Sequence, residues 1–169
     1  MARAERVWKA RVGELAVYPG LGVALIEELR TQEIAGQTRK FLVLRKIEDD
    51  SRILIPRENV AQVGLRAVIS HGEAERIWTI LKTRTRRRRV GGITWSRQFR
   101  EYQEKLRTGS IFEIAEVLRD LMRLQAVKEL SFGERRVLDT ARSLLVQELA
   151  ACENTLPEKI DDQINSAVR

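Results

Sequence analysis

The chain has 169 residues, 43% apolar and 33% charged, with a formal net charge of +7, which suits one domain or two small ones. No apolar run approaches the roughly 20 residues of a membrane span, and the first residues hold no run of signal-peptide length, so the sequence reads as cytoplasmic. One cysteine, Cys152, excludes an internal disulfide; one histidine, His71, leaves no His-based metal site or triad; and no P-loop, Rossmann glycine pattern or metal-ligand spacing occurs. The expectation is a binding protein, not an enzyme, without cofactor or metal.

Residues 1–11 carry Arg3, Arg6, Lys9 and Arg11 against Glu5 and read as a basic N-terminal arm. Leu15 to Tyr18 is a short strand stopped by Pro19-Gly20. Val23 to Ile34 is a long strand, despite the helical composition of E-E-L-R, because glycines precede it and Ala35-Gly36 follows. Arg39 to Ile47 alternates: Arg39, Phe41, Val43 and Arg45 share one face, Lys40, Leu42, Leu44 and Lys46 the other. After the Asp49-Asp50-Ser51 turn, Arg52 to Ile55 is a strand stopped by Pro56, and Val63 to Val68 supplies a fifth. Five short strands in residues 12–68 predict a small barrel of the SH3 or Tudor sort.

From residue 69 onward the signal is helical. Ser70/Glu73, Ser110/Glu113, Ser131/Glu134 and Thr155/Glu158 each have capping-box spacing and each precede an apolar stripe. The expected buried stripes are Ala74, Ile77, Trp78 and Leu81; Ile111 to Met122; Val137 to Leu149; and Ile160, Ile164 and Val168. A second helix starts at Thr94 without a box, carries Trp95, Phe99, Tyr102 and Leu106 at helical spacing, and ends before Gly109. The fold class is therefore α+β: a five-stranded barrel followed by an all-α domain of about five helices, residues 69–169.

Lys82 to Arg100 holds eight Lys or Arg and no acid, so the rest of the chain sums to about −1. Basicity this local is the footprint of a polyanion contact. Trp95 lies at its end. It is either a member of the packed stripe or a wedge and stacking platform for bases beside Arg97. The Arg84 to Arg89 run is either a solvated connection or added phosphate contact.

The segment V-G-E-L-A-V-Y-P-G-L-G-V-A (Val12 to Ala24) is similar to the opening of CarD/CdnL-type bacterial transcription regulators, V-G-D-x-V-V-Y-P-x-x-G-x-A. F-L-V-L-R (Phe41 to Arg45), I-P-R-E-N (Ile55 to Asn59), T-W-S-R-Q-F-R (Thr94 to Arg100) and L-S-F-G-E-R-R (Leu130 to Arg136) continue the likeness in order.

The resemblance implies that residues 12–68 are a Tudor-like RNA polymerase interaction domain docking on the β subunit. Its contact strands would contribute Val43, Arg45, Arg52, Leu54 and Pro56. It implies that the helical domain touches promoter DNA at the upstream edge of the bubble without reading sequence. Trp95 would be the minor-groove wedge, Arg97 and Arg100 the phosphate contacts, and Arg86, Arg87, Arg88 and Arg89 an addition particular to this chain. A family basic position is Gln98 here. The expected state is a monomer associated with the nucleoid through polymerase. The rival reading is an RNA- or ribosome-associated basic binding protein.

Overall fold

The structure, a computed structural model, describes residues 8–84, 95–108 and 110–168. The chain divides into two compact units between Val68 and Ile69.

The first unit is one antiparallel sheet of β1 (Leu15–Tyr18), β2 (Gly22–Ile34), β3 (Gln37–Lys46), β4 (Arg52–Pro56) and β5 (Arg66–Ala67), in the order β4-β3-β2-β1-β5. Ala35-Gly36 joins β2 to β3 with φ of 50° and 75°, so Ile34 faces Gln37 across a two-residue turn whose twist matches the strands. The expected barrel is an open sheet with β4 and β5 as its edges. The fifth strand, expected over Val63 to Val68, pairs only at Arg66 and Ala67. Gly64, at φ +77°, turns the chain just before it, which leaves too little strand to reach β4.

Ala16, Ala24, Ile26, Leu42, Leu44, Ile55 and Leu65 form the core of this unit, and Trp8 and Ala10 pack against it. Part of the stretch read as a basic N-terminal arm, Trp8 and Ala10, therefore packs on this core.

The register of β2 on β3 slips between Ile26 and Glu28, so Glu27 is the extra residue of a β-bulge. A bulge re-aims one side chain and raises the local twist. Beyond it the hairpin leaves the core, and Leu29 and Ile34 are exposed.

The second unit contains α1 (His71–Lys82), α2 (Trp95–Thr108), α3 (Ile111–Gln125), α4 (Phe132–Glu153) and α5 (Pro157–Ala167). Ser70, Ser110 and Ser131 each accept from the N3 backbone N–H while Glu73, Glu113 and Glu134 reach back, so three capping boxes form. The fourth, Thr155/Glu158, does not: the N-cap is Leu156, with no side-chain cap. Pro157 takes the first helical position, where its missing N–H costs nothing, and this moves the cap off Thr155.

The stripes meet in one core that includes Ile77, Leu81, Leu118, Leu121, Leu145, Leu149, Ile160 and Ile164. Truncating such a leucine to alanine costs about 2–5 kcal/mol. Trp78, expected in the core, is half-buried, and its Nε1 donates to Glu153 Oε1 at 2.8 Å. Cys152 is also half-buried, and desolvation holds its thiol above its ordinary range. Glu148 is fully buried and accepts from the Ile69 N–H at 3.1 Å, which satisfies a donor just ahead of α1. Among the described residues no helix is long and apolar enough to cross a membrane.

Candidate functional site

Two surfaces carry the expected site residues, one on each unit. On the sheet, Val43 faces Leu54, Arg45 faces Arg52 and Phe41 faces Pro56. Because opposed residues share a face and side chains alternate along each strand, Val43, Arg45, Arg52, Leu54 and Pro56 all lie on one face. Leu54 is 41% exposed, whereas Val43 is fully buried and has no surface to offer a partner. β4 is an edge strand, so it also has one row of backbone groups outside the ladder.

The charged part of this face is held by a residue the sequence reading did not single out. Glu27 Oε1 accepts from Arg45 Nε at 2.9 Å and Glu27 Oε2 from Arg52 Nε at 2.8 Å. Arg45 Nη1 also donates to Asp50 Oδ1 at 2.7 Å. The Arg52 hydrogen bond is the largest influence holding the Glu27 carboxyl below its ordinary range; burial opposes it and Arg45 adds to it. The bulge brings this carboxylate between the two guanidiniums. Its only trace in the sequence is a Glu-Glu pair at the point where strand alternation breaks, which does not reveal which glutamate is extra.

Next to this face, the Asp49 carboxyl is lowered to about 2, chiefly by the Ser51 hydroxyl, then by the Ser51 N–H and Lys46. That turn fixes the entry to β4.

On the helical unit, α2 begins at Trp95 with no acidic residue in its first turn. Arg97 and Arg100 are exposed, three residues apart, and so on one side of the helix. Among the described residues neither is ion-paired, whereas further along α2 Lys105 pairs with Glu101 and Arg107 with Glu104. Uncompensated positive charge is thus concentrated at the start of α2, where the helix dipole adds to it. Gln98 donates from Nε2 to the Tyr102 hydroxyl at 2.9 Å, so its amide is engaged within the helix. The Trp95 side chain and residues Arg86, Arg87, Arg88 and Arg89 lie outside the described residues.

A further exposed aromatic extends this surface. A Cβ on Gly133 would sit 3.1 Å from Phe99 Cε2, so the first turn of α4 packs directly on α2, one helical turn from Trp95. The neighbouring Phe132 is 78% exposed, and the Arg136 guanidinium lies 5.9 Å from its ring centre. Arg135 is exposed beside it. Phe132 lies off the buried α4 stripe of Val137, Leu138, Ala141 and Leu145. An aromatic out of phase with its own helix was therefore a signal available in the sequence.

Among the described residues no group of three or more His, Cys, Asp or Glu could hold a metal ion. A hollow of about 520 Å³ lined by Trp78, Lys82, Asp162 and Ala167 lies against α1 and α5 and contains none of the expected site residues.

Comparison with known proteins covers both units. The family model described as CarD, C-terminal domain, matches residues 76–165, more than half of the chain, and the CarD-like/TRCF RID domain matches residues 11–69. The chain belongs to the CarD/CdnL family. A relative within reach is YdeB of Bacillus subtilis (strain 168), named as a candidate transcription factor. It is 26% identical over 162 residues, which cover 89% of this chain and 96% of that one.

Two solved structures of Myxococcus xanthus proteins are also similar. The N-terminal domain of CarD is 32% identical with a TM-score of 0.30, covering 35% of this chain and 79% of that one. The CdnL N-terminal domain is 40% identical with a TM-score of 0.35, covering 41% and 97%. CarD/CdnL membership gives the chain a function associated with transcription.

Proposed function

We propose that this CarD/CdnL protein docks on the RNA polymerase β subunit through the β3–β4 face and stabilises the promoter open complex through α2, without reading base sequence. On the sheet, Leu54 and Pro56 supply apolar contact and Arg45 and Arg52 supply charge, while Val43, on the same face but buried, offers no contact of its own. The open edge of β4 is suited to receiving a strand from the partner.

The observation that carries the reading is the acid-free start of α2, with Arg97 and Arg100 exposed and unpaired among the described residues, next to Phe132 and Arg136 at the start of α4. Basic and aromatic groups side by side suit a nucleic-acid backbone and its bases better than they suit a protein partner.

Tethering by polymerase raises the local concentration of the helical unit, so its own DNA affinity can be weak. Arg97, Arg100 and the Arg86 to Arg89 run neutralise phosphates. Trp95 enters the minor groove at the junction of duplex and bubble, where the parted strands would re-pair. Such stacking contributes about 1–3 kcal/mol. Because about 1.4 kcal/mol is tenfold, bubble collapse slows by roughly tenfold when the contact acts mainly on the open state.

A pull-down with the isolated β subunit, followed by open-complex half-life with and without the protein, tests both halves. Ribosome co-sedimentation with no polymerase retention would favour the RNA-binding alternative instead.

A further inference from the structure

Helices α1 and α3 lie side by side and run the same way. The Arg76 guanidinium lies 4.5 Å from the centre of the Phe112 ring, Arg119 Nη1 donates to Ile80 O at 3.2 Å, and Arg123 Nη1 donates to Thr83 O at 2.8 Å. Contacts thus advance together along both helices. Arg76 and Ile80 share one face of α1, which Thr83 continues, and Phe112, Glu116, Arg119 and Arg123 share one face of α3. The seam between the two helices is therefore built around arginines, none of which belongs to α2 or α4.

This seam carries more positive charge than it neutralises. Arg84, exposed, follows Thr83 at its end. Arg119 is 5% exposed and pairs with Asp120. Among the described residues Arg76, Arg84 and Arg123 have no ion pair. The carboxylates on the seam face of α3 and beside it are Glu116, exposed, and Asp120, already engaged by Arg119. Desolvation holds the Arg123 guanidinium below its ordinary range; Arg119 and Arg84 push it the same way as like charges, and Asp120 opposes them. Like charges gathered on one seam repel, and a polyanion laid along it relieves the repulsion.

The accessible charges are at the two ends. Arg76 and Arg84 are both exposed and eight positions apart, which is about 12 Å along the seam at about 1.5 Å per residue. That length spans about three to four phosphates of one strand at about 3.4 Å of rise each. One acidic side chain would suit one arginine; charges spread along a rigid seam suit a polymer with evenly spaced charge.

We propose that the α1–α3 seam is a second track for a nucleic-acid backbone, separate from the start of α2, with Arg76 and Arg84 each touching a phosphate. Arg119 and Arg123 hold the two helices in register and supply positive potential between the ends. Contacts of this kind position the helical unit and carry no sequence information. The proposal rests on the functional reading above and adds a surface to it.

The test is fluorescence anisotropy of the full chain on a labelled DNA duplex across a salt series, which gives the slope of log affinity against log salt. The seam variants are Arg76→Gln, Arg84→Gln and their double; the α2 variant is Arg97→Gln with Arg100→Gln. Arg57→Gln, an exposed position on the sheet unit, controls for lost net charge. Each single seam variant shallows the slope by about one, and the double by about two. Arg76→Lys keeps the slope, because the charge remains. Combining the seam double with the α2 variant shallows the slope further than either does, as two tracks engaged together require. Arg57→Gln leaves the slope unchanged.

An α2 variant with a shallower slope beside seam variants with the original one removes the second track and leaves the functional reading standing. Equal shallowing in Arg57→Gln also overturns the proposal, since net charge alone would then explain the effect. No salt-dependent binding by the unaltered chain overturns the DNA half of the functional reading, and the second track with it.

Discussion

Arg52 and Glu27 are 25 residues apart in the chain and joined at 2.8 Å on the sheet surface, with Arg45 on the other oxygen of the same carboxylate. The pair exists because the bulge in β2 displaces Glu27 out of the strand's alternation. It holds two arginines of the proposed polymerase face in a set geometry before any partner arrives, which reduces the ordering cost of binding.

Replacing Glu27 with Gln is expected to weaken retention on the β subunit while leaving the helical unit folded. The same carboxylate gives a pH dependence. Its folded pKa lies below its ordinary 4.5. The contribution is therefore complete above about pH 4.5 and fades as pH falls through the lower folded value. Asp49, lowered to about 2, behaves alike from its ordinary 3.8 downward. Acid titration of the isolated sheet unit by circular dichroism checks this: the Glu27→Gln variant should lose part of the acid sensitivity.

Leu54→Asp places a charge where the proposed interface needs an apolar surface. Leu54 is 41% exposed, so the fold should tolerate the change, within about 0.5 kcal/mol. Retention by the β subunit should fall about tenfold or more, since an unpaired carboxylate would be buried on docking. A pull-down with wild-type retention would remove Leu54 from the interface.

Phe132 and Leu145 separate function from packing. Phe132→Ala should change stability by no more than about 0.5 kcal/mol, because the ring is 78% exposed, yet weaken DNA binding. Leu145→Ala, at a fully buried position, should cost about 2–5 kcal/mol and leave the binding of the folded fraction intact. Chemical denaturation and anisotropy, run on both variants, check the contrast.

Much of this was legible in the sequence because its causes are local. A serine hydroxyl meets a backbone N–H three residues on, so the boxes at Ser70, Ser110 and Ser131 could be read directly. Apolar spacing located the core of α3 and α4, including Leu118 and Leu145. Thr155 failed for an equally local reason: Pro157 outranks it as a start signal. What could not be read depends on distant pairing. The bulge at Glu27 follows from how β2 registers on β3, the open sheet follows from how little of β5 remains after Gly64, and the hydrogen bond from Arg123 to the Thr83 carbonyl joins residues 40 positions apart. Val43 alternated onto the expected face, but alternation does not reveal that it is covered.

The Ala35-Gly36 turn offers a gain in stability. Ala35 sits at φ 50°, a left-handed conformation in which a Cβ costs about 1 kcal/mol and which Asn tolerates better. Ala35→Asn should stabilise the sheet unit by about 0.5–1 kcal/mol, read as a shifted denaturation midpoint at unchanged slope.

The lifetime of a competitor-challenged promoter open complex, compared between the unaltered protein and Trp95→Ala, bears on the functional reading most directly. The variant should still be retained by polymerase, and the complex should decay about tenfold faster than with the unaltered protein. Equal lifetimes at equal retention would contradict the placement of Trp95 at the bubble edge.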